Sequence, residues 1–441
     1  MTDVIAAQVN RPTHDGATKA GNEQSKIIFA SGIGTAVEFF DFGIYGYLAK
    51  PIADRFFPSS SPLASLLAAF AVFAIAFFAR PAGGILFGHI GDSVGRKTAM
   101  VWSIALMAGS TFTIGVLPDY LSIGVLAPSL LVVLRLLQGL AAGGEIGGAA
   151  TMLAEFSDDK NRGLFTSAAP VGGIIGLLLA SIIILTMNSF FSPSTVSDWA
   201  WRIPFVVALP TGLIGFYIRT RLHDTPVFES KVAQVRPKKI PLVEVVSENL
   251  GTVLKSIGVA AMAFAVYYLV FVYVATYLQT QGSFTRTEAT YSTIAALCAA
   301  AVLIPFFGWL SDRIGRRAVI GISALCFLLL TIPLFGLMRG DSFKLAISAH
   351  VLLSLFVAIT SGPLWTTLAE MYPARIRYSG VGIAYNVTVA LTGGTAPYIA
   401  TWLVGATGNP ISPSYYIMAM AVVTLIAVAF SSETARKPLL P

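Results

Sequence analysis

Twelve runs of about twenty mostly apolar residues constrain this chain more than any other feature, since a helix needs about 20 such residues to cross a bilayer. The first six lie near 27–49, 63–87, 98–117, 127–153, 163–188 and 201–220; the second six lie near 255–280, 288–308, 318–338, 345–369, 379–403 and 413–431. Composition agrees. Of 441 residues 55% are hydrophobic and only 12% charged, with a mean hydropathy of +0.76. Soluble domains carry roughly 25% charged residues, so this chain cannot clothe a water-facing surface and a soluble enzyme is excluded. A disordered chain is excluded too, because disorder needs low hydrophobicity. The expected fold is an all-α integral membrane protein with twelve transmembrane helices.

The basic residues orient it. Lys50, Arg55, Arg202, Arg286, Arg339 and Lys344 fall in one set of loops, and Arg80 and Arg135 fall inside spans; the other 21 of the 29 basic residues fall in the opposite loops and tails. Such a bias places both termini in the cytoplasm, and it explains the net charge of +7 without nucleic acid. Residues 1–26 lack the apolar stretch of a cleavable leader, so they read as a cytoplasmic tail. The expected organisation is a bundle over 27–220, a cytoplasmic linker over 221–254, a second bundle over 255–431 and a cytoplasmic tail over 432–441. Cys298 and Cys326 are too few for a disulfide framework.

The two bundles echo each other. Gly88-His-Ile-Gly-Asp92-Ser-Val-Gly95-Arg96-Lys97 and Gly308-Trp-Leu-Ser-Asp312-Arg-Ile-Gly315-Arg316-Arg317 are offset by 220 residues. Ala154-Glu155 with Arg162-Gly163 is echoed by Ala369-Glu370 with Arg377 at an offset of 215. A 6+6 duplication follows, and parallel repeats of this kind suit secondary transporters that rock one half against the other. The expected cytoplasmic gate comprises Asp92, Arg96, Lys97, Glu145, Glu155, Asp312, Arg316, Arg317, Glu370 and Arg377.

These loops resemble the signature of the major facilitator superfamily. Narrower stretches resemble its metabolite:proton symporter family: Glu38-Phe-Phe-Asp41-Phe-Gly-Ile-Tyr45-Gly, Arg80-Pro-Ala-Gly-Gly, Gln138-Gly139 with Gly143-Gly144-Glu145, Trp201-Arg202-Ile-Pro-Phe, Thr225-Pro-Val-Phe and Glu370-Met-Tyr-Pro-Ala-Arg-Ile-Arg377. In the C-terminal half, Tyr385-Asn386-Val-Thr388-Val, Ala400-Thr-Trp402-Leu-Val, Pro413-Ser-Tyr415-Tyr416-Ile-Met and Glu433-Thr-Ala are similar to proton-coupled proline/betaine symporters. The resemblance implies helices 1, 4, 7 and 10 around a central cavity, alternating access, a proton and a small zwitterion as partners, and no cofactor. The chain is expected to act as a monomer in the inner cell membrane. It ends ten residues after the last span, without the long extension of some osmolyte symporters, which puts osmotic sensing in doubt.

Ionisable side chains near a bilayer centre cost roughly 2.5–3.5 kcal/mol on insertion scales. Asp41 and Arg135 each lie about 12 Å below the outer end of their spans at 1.5 Å per residue, at matching depth and with opposite charge. Asp41 is the expected proton site and Arg135 its sensor and the substrate carboxylate ligand; Glu38, three residues before Asp41, is the alternative proton site. A structural salt bridge is the bland reading. Glu145 lies near the cytoplasmic rim, where Arg80 either joins it or snorkels to the surface. Tyr267, Tyr268 and Phe271 in span 7 and Trp365 in span 10 offer faces for a methylated ammonium group, or else pack between helices. Asn386 could bind substrate or tie helices together. His350 reads as structural. Competing functions are proton symport of an organic acid such as α-ketoglutarate, a citrate-like or a shikimate-like anion, and efflux, for which Ala169-Pro170-Val-Gly172-Gly173 offers only a fragment of a motif. Gly91–Thr98 has the wrong spacing for a phosphate loop, and no metal cluster or catalytic set appears, so an enzyme is not expected.

Overall fold

The computed structural model describes residues 32–93, 96–143, 146–221, 245 and 247–440, with helices and no strand among them. Lipid offers no hydrogen bonds, so each apolar run closes its own backbone bonds as a helix. Twelve spans result. α1 covers residues 32–47 and continues past a turn at Leu48 as Ala49–Phe56. α2 is Pro62–Ser93, α3 Arg96–Val116 and α4 Leu126–Glu155, broken near Gly143. α5 is Arg162–Phe190 and α6 Ile203–Arg221. α7 is Leu250–Thr280, α8 Arg286–Ile314 and α9 Arg316–Leu337. α10 is Phe343–Glu370, α11 Arg377–Thr407 and α12 Pro413–Ala429. The ends are named inner and outer after the charge bias.

One expectation needs correcting. The repeated motif is not a loop for most of its length, because α2 runs on to Ser93 and α8 to Ile314. In the second copy Gly315 turns the chain, at φ +105°, a conformation side chains resist. Of the linker expected over 221–254, residues 222–244 and 246 lie outside the described residues, as do the N-terminal tail 1–26 and Glu145; nothing is described of the side chains of Asp92, Arg96 and Lys97 either.

Within the first half α2 packs on α4 and α3 on α6; within the second, α7 packs on α12 and α8 on α10. The halves meet through α5 against α8 and α2 against α11. At the inner end the α5–α8 crossing is so tight that a Cβ on Gly308 would sit 2.5 Å from the Gly163 carbonyl oxygen. α7 is the central helix. Of its most apolar window 94% is buried by protein, against 33% for α8, which faces outward. Both α7 and α11 carry a π turn, at Leu269–Tyr273 and Val389–Gly393.

Candidate transport pathway

Three layers lie along the interface between the halves. The innermost is a closed ring of charge. Asp312 on α8 accepts the Gly163 N–H at 2.8 Å and the Leu164 N–H at 3.0 Å, placing a carboxylate on the first turn of α5. It also pairs with Arg316 at 2.7 Å. Glu370 at the end of α10 pairs with Arg162 of the other half at 2.8 Å and with Arg316 at 3.3 Å. Glu155 pairs across the halves with Arg377 at 2.8 Å. Glu370 thus meets an arginine of the repeated motif, Arg316, while Glu155 meets the echoed Arg377. Arg317 stands apart, donating to the Val428 carbonyl at 3.0 Å and to the Ala429 carbonyl, which joins α9 to α12.

The chain after α12 crosses this ring. Thr434 donates to Glu370 at 2.6 Å, Arg377 donates to the Leu440 carbonyl at 2.7 Å and Arg162 donates to the Lys437 carbonyl at 3.2 Å. The Glu433 carboxylate accepts backbone N–H groups of Arg316, Arg317, Thr434 and Ala435. Burial alone would raise its pKa, but these four bonds outweigh that and lower it.

Above the ring lies a narrow cleft walled by aromatic side chains from both halves. Phe39 comes from α1, Phe264, Tyr267 and Tyr268 from α7, Trp365 from α10 and Tyr385 from α11. Phe264, Trp365 and Tyr385 lie within 5.1–6.0 Å of one another by ring centroids, and Phe39 meets Tyr267 edge-on at 5.4 Å. The buried Tyr267 hydroxyl has no hydrogen-bond partner. Three expected substrate residues lie off this surface. Phe271 packs behind Tyr267 at 5.1 Å. Asn386 donates to the Gly143 carbonyl at 3.1 Å and to the Gly382 carbonyl at 2.9 Å, tying α11 to the break in α4. Arg135 sits deeper in the first half, over the rings of Tyr45, Phe42 and Phe73 at 4.3, 4.8 and 5.4 Å.

Beside the cleft are four buried charges arranged as two systems. Arg80 is fully buried, so it does not snorkel; it pairs with Glu38 at 2.9 Å and donates to the Tyr385 hydroxyl at 2.5 Å, joining the halves. Asp41 and Arg135 form no direct ion pair. Asp41 accepts from Thr111 at 2.8 Å, its second oxygen having no hydrogen-bond partner, and Arg135 donates to Gln138 at 2.8 Å and to the Phe73 carbonyl at 3.2 Å. Matching depth was legible; the intervening polar pair was not. Tyr385, Thr111 and the Arg162–Glu370 pairing went unassigned and Arg80 was expected at the rim or the surface, although Arg80, Arg162 and Tyr385 stand inside the quoted motifs. His350 bonds Ser292 and the Val270 carbonyl, each at 2.8 Å, as a structural tie between α10, α8 and the π turn of α7.

The pattern of the family described as "Sugar (and other) transporter" matches residues 27–239 and again 229–440. The chain belongs to that family, within the major facilitator superfamily. It is similar to the proline/betaine transporter of Escherichia coli strain K12, 35% identical over 94% of this chain and 84% of the relative. It is also similar to the putative proline/betaine transporter of Staphylococcus haemolyticus, 38% identical over 93% of this chain and 88% of that one. A glycine betaine/proline/ectoine/pipecolic acid transporter of Dickeya dadantii is 34% identical over 94% and 84%. In fold it resembles the proton:xylose symporter XylE bound to 6-bromo-6-deoxy-D-glucose, with a TM-score of 0.76 at 16% identity, over 95% of this chain and 98% of that chain. The chain is a multi-pass membrane transporter, not an enzyme.

Proposed function

We propose that this transporter takes up a small zwitterion of the proline or glycine betaine class by proton symport and alternating access. The observation that carries the reading is the aromatic cleft shared by both halves, set beside a buried acid, Asp41, that has no ion-pair partner. Aromatic faces attract a desolvated methylated ammonium group by cation–π interaction, and the printed names of the relatives support that substrate class. Arg80, just behind Tyr385, is the nearest cation for the substrate's carboxylate, with bidentate geometry available to a guanidinium. Arg135 keeps the role of sensor. Glu38 is committed to Arg80, which leaves Asp41 as the group free to take the proton. With the inner ring closed, the cleft is shut on the inner side, and breaking that ring opens it inward. The reading includes both termini on the cytoplasmic side of the inner membrane, bundles over 27–220 and 255–431 joined by 221–254, and a monomeric transporter.

A second reading has one observation in its favour. Arg80 gives the interface a second buried arginine, as an organic-acid symporter would use. Its charge is balanced by Glu38, however, which favours a substrate of no net charge. Uptake into proteoliposomes with an imposed pH gradient tests both. Labelled proline, betaine or ectoine is expected to accumulate, and accumulation only of α-ketoglutarate or shikimate would overturn the zwitterion reading. Asp41→Asn should abolish gradient-driven accumulation while sparing counterflow.

A further inference from the structure

Asp41 and Arg135 are linked by a file of hydrogen bonds in which every donor points the same way. The Arg135 guanidinium donates to Gln138 Oε1 at 2.8 Å, Gln138 Nε2 donates to Thr111 Oγ1 at 2.6 Å, and Thr111 Oγ1 donates to Asp41 Oδ2 at 2.8 Å. All four side chains are buried. Amide orientation is fixed by this network, because the reverse orientation would set the Gln138 amide nitrogen against the guanidinium. The file runs from α4 through α3 to α1, entirely inside the first half.

Thr111 is the point where the file can change state. Its hydroxyl carries one proton and faces two acceptors, Asp41 Oδ2 and the Met107 carbonyl at 2.9 Å. With Asp41 ionised, the hydroxyl donates to it. Once Asp41 is protonated on Oδ2, its O–H needs an acceptor: the Thr111 proton turns to Met107, and the Thr111 oxygen then accepts from Asp41 as well as from Gln138, which alters the bond that Gln138 makes. Apart from Asp41 Oδ1, which has no hydrogen-bond partner, neither arrangement strands a polar atom of the file, which would cost about 1–3 kcal/mol. The other charged and titratable groups around Asp41 and Arg135 are Glu38 and Tyr45 on α1, Arg80 on α2 and Tyr268 on α7. Glu38 and Arg80 are engaged with each other. Tyr268 walls the cleft and touches Phe73 at 6.0 Å, the ring that flanks Arg135.

We infer that Thr111 and Gln138 are positioning residues that transmit the protonation state of Asp41 to Arg135, and through Phe73 and Tyr268 to the substrate cleft. This rests on the reading of Asp41 as the proton site. Binding and protonation are then coupled through a hydroxyl rotor and an amide, without Arg135 leaving its aromatic sleeve.

The test compares gradient-driven accumulation with substrate counterflow of labelled betaine in proteoliposomes. Thr111→Val keeps the shape and removes the hydroxyl; it is expected to lose accumulation, retain counterflow and melt like the parent, and Thr111→Ser is expected to restore accumulation. Gln138→Leu, a break one link away, should reproduce the valine phenotype. Normal accumulation in Thr111→Val would overturn the relay, and so would loss of counterflow together with accumulation, since that marks a packing role. Failure of serine to rescue would overturn it too. Asp41→Asn run alongside separates the levels: normal accumulation in that variant sinks the proton-site reading, whereas a coupling-dead Asp41→Asn beside a fully coupled Thr111→Val sinks the relay alone.

Discussion

The two halves descend from one repeat, yet they have invested their buried middles differently. Among the described residues, the first half holds Glu38, Asp41, Arg80 and Arg135 at mid-depth, all fully or almost fully buried. In the second half the buried charges Asp312, Arg316, Glu370 and Arg377 lie at the inner end, and the middle is aromatic with two π turns. One half therefore keeps the ionic chemistry in a buried frame, and the other supplies an apolar surface and helices with local irregularity. π turns interrupt the regular ladder and commonly mark functional positions. A duplicated fold gains from this division, because moving one half against the other brings an unmoved charge system to a different face of the cleft.

The largest expected effect tests the ionic half. Glu38→Ala leaves Arg80 buried without its counter-ion, which costs about 3–5 kcal/mol for a broken buried pair. The double change Glu38→Leu with Arg80→Met should recover most of that stability while transport stays lost, read by thermal unfolding in detergent. If Glu38→Ala melts like the parent, the buried charges are not what holds this half together.

Next comes the ring the halves share. Glu370→Gln weakens contacts to Arg162, Arg316 and Thr434 at once, while the Glu155 side chain of the Glu155–Arg377 pair is 44% exposed and should contribute about 0–1 kcal/mol. A cysteine placed at Ala169 in the cleft, in a chain with Cys298 and Cys326 changed to Ser, should react faster with maleimide from the inner side in Glu370→Gln than in Glu155→Gln. Equal rates would mean the ring closes uniformly.

A smaller effect is expected on the aromatic half. Trp365→Leu removes one wall of the cleft, and a desolvated cation–π contact is worth about 2 kcal/mol. KM for betaine should rise by about thirtyfold and KM for proline by less. An equal rise for both would point to volume rather than cation recognition.

The smallest concerns the tail. The folded pKa of Glu433 lies below its ordinary value, so its contribution is complete above that ordinary value and fades as pH falls through the folded one. Protease cleavage near Arg436 should therefore increase only as pH falls below the ordinary value of 4.5, and Glu433→Gln should cleave readily at every pH. A cleavage rate flat with pH in the parent would exclude Glu433 as the fastener.

Much of this was legible in the residues. Apolar runs of span length can only become helices in lipid, and the 220-residue echo announced both the duplication and Asp312. Asp41 and Arg135 stood out because charge is costly where they lie. The pairings did not, since partners such as Arg162 and Glu370 are 208 residues apart and lie in different halves. Both were visible as echoes, but which acid meets which arginine depends on how the bundles face each other. Thr111 gave no signal at all and Gln138 only its place in a quoted motif, because uncharged polar residues are ordinary in membrane helices and only proximity makes them a file. Arg80 was misjudged for a related reason: the counter-ion that keeps it from the surface is on another helix.

The burial of α7 sets a limit on what the surrounding membrane can do to this protein. Bilayer thickness and lipid type act on helices through the surface they present to acyl chains, at fractions of a kcal/mol per ångström of mismatch. α8 presents such a surface, and α7 presents almost none. A thicker or thinner bilayer therefore tilts the outer helices and shifts the balance between open states, while the Tyr267, Tyr268 and Phe264 surface stays in a purely protein environment. Lipid composition should tune the rate of turnover and leave the choice of substrate alone.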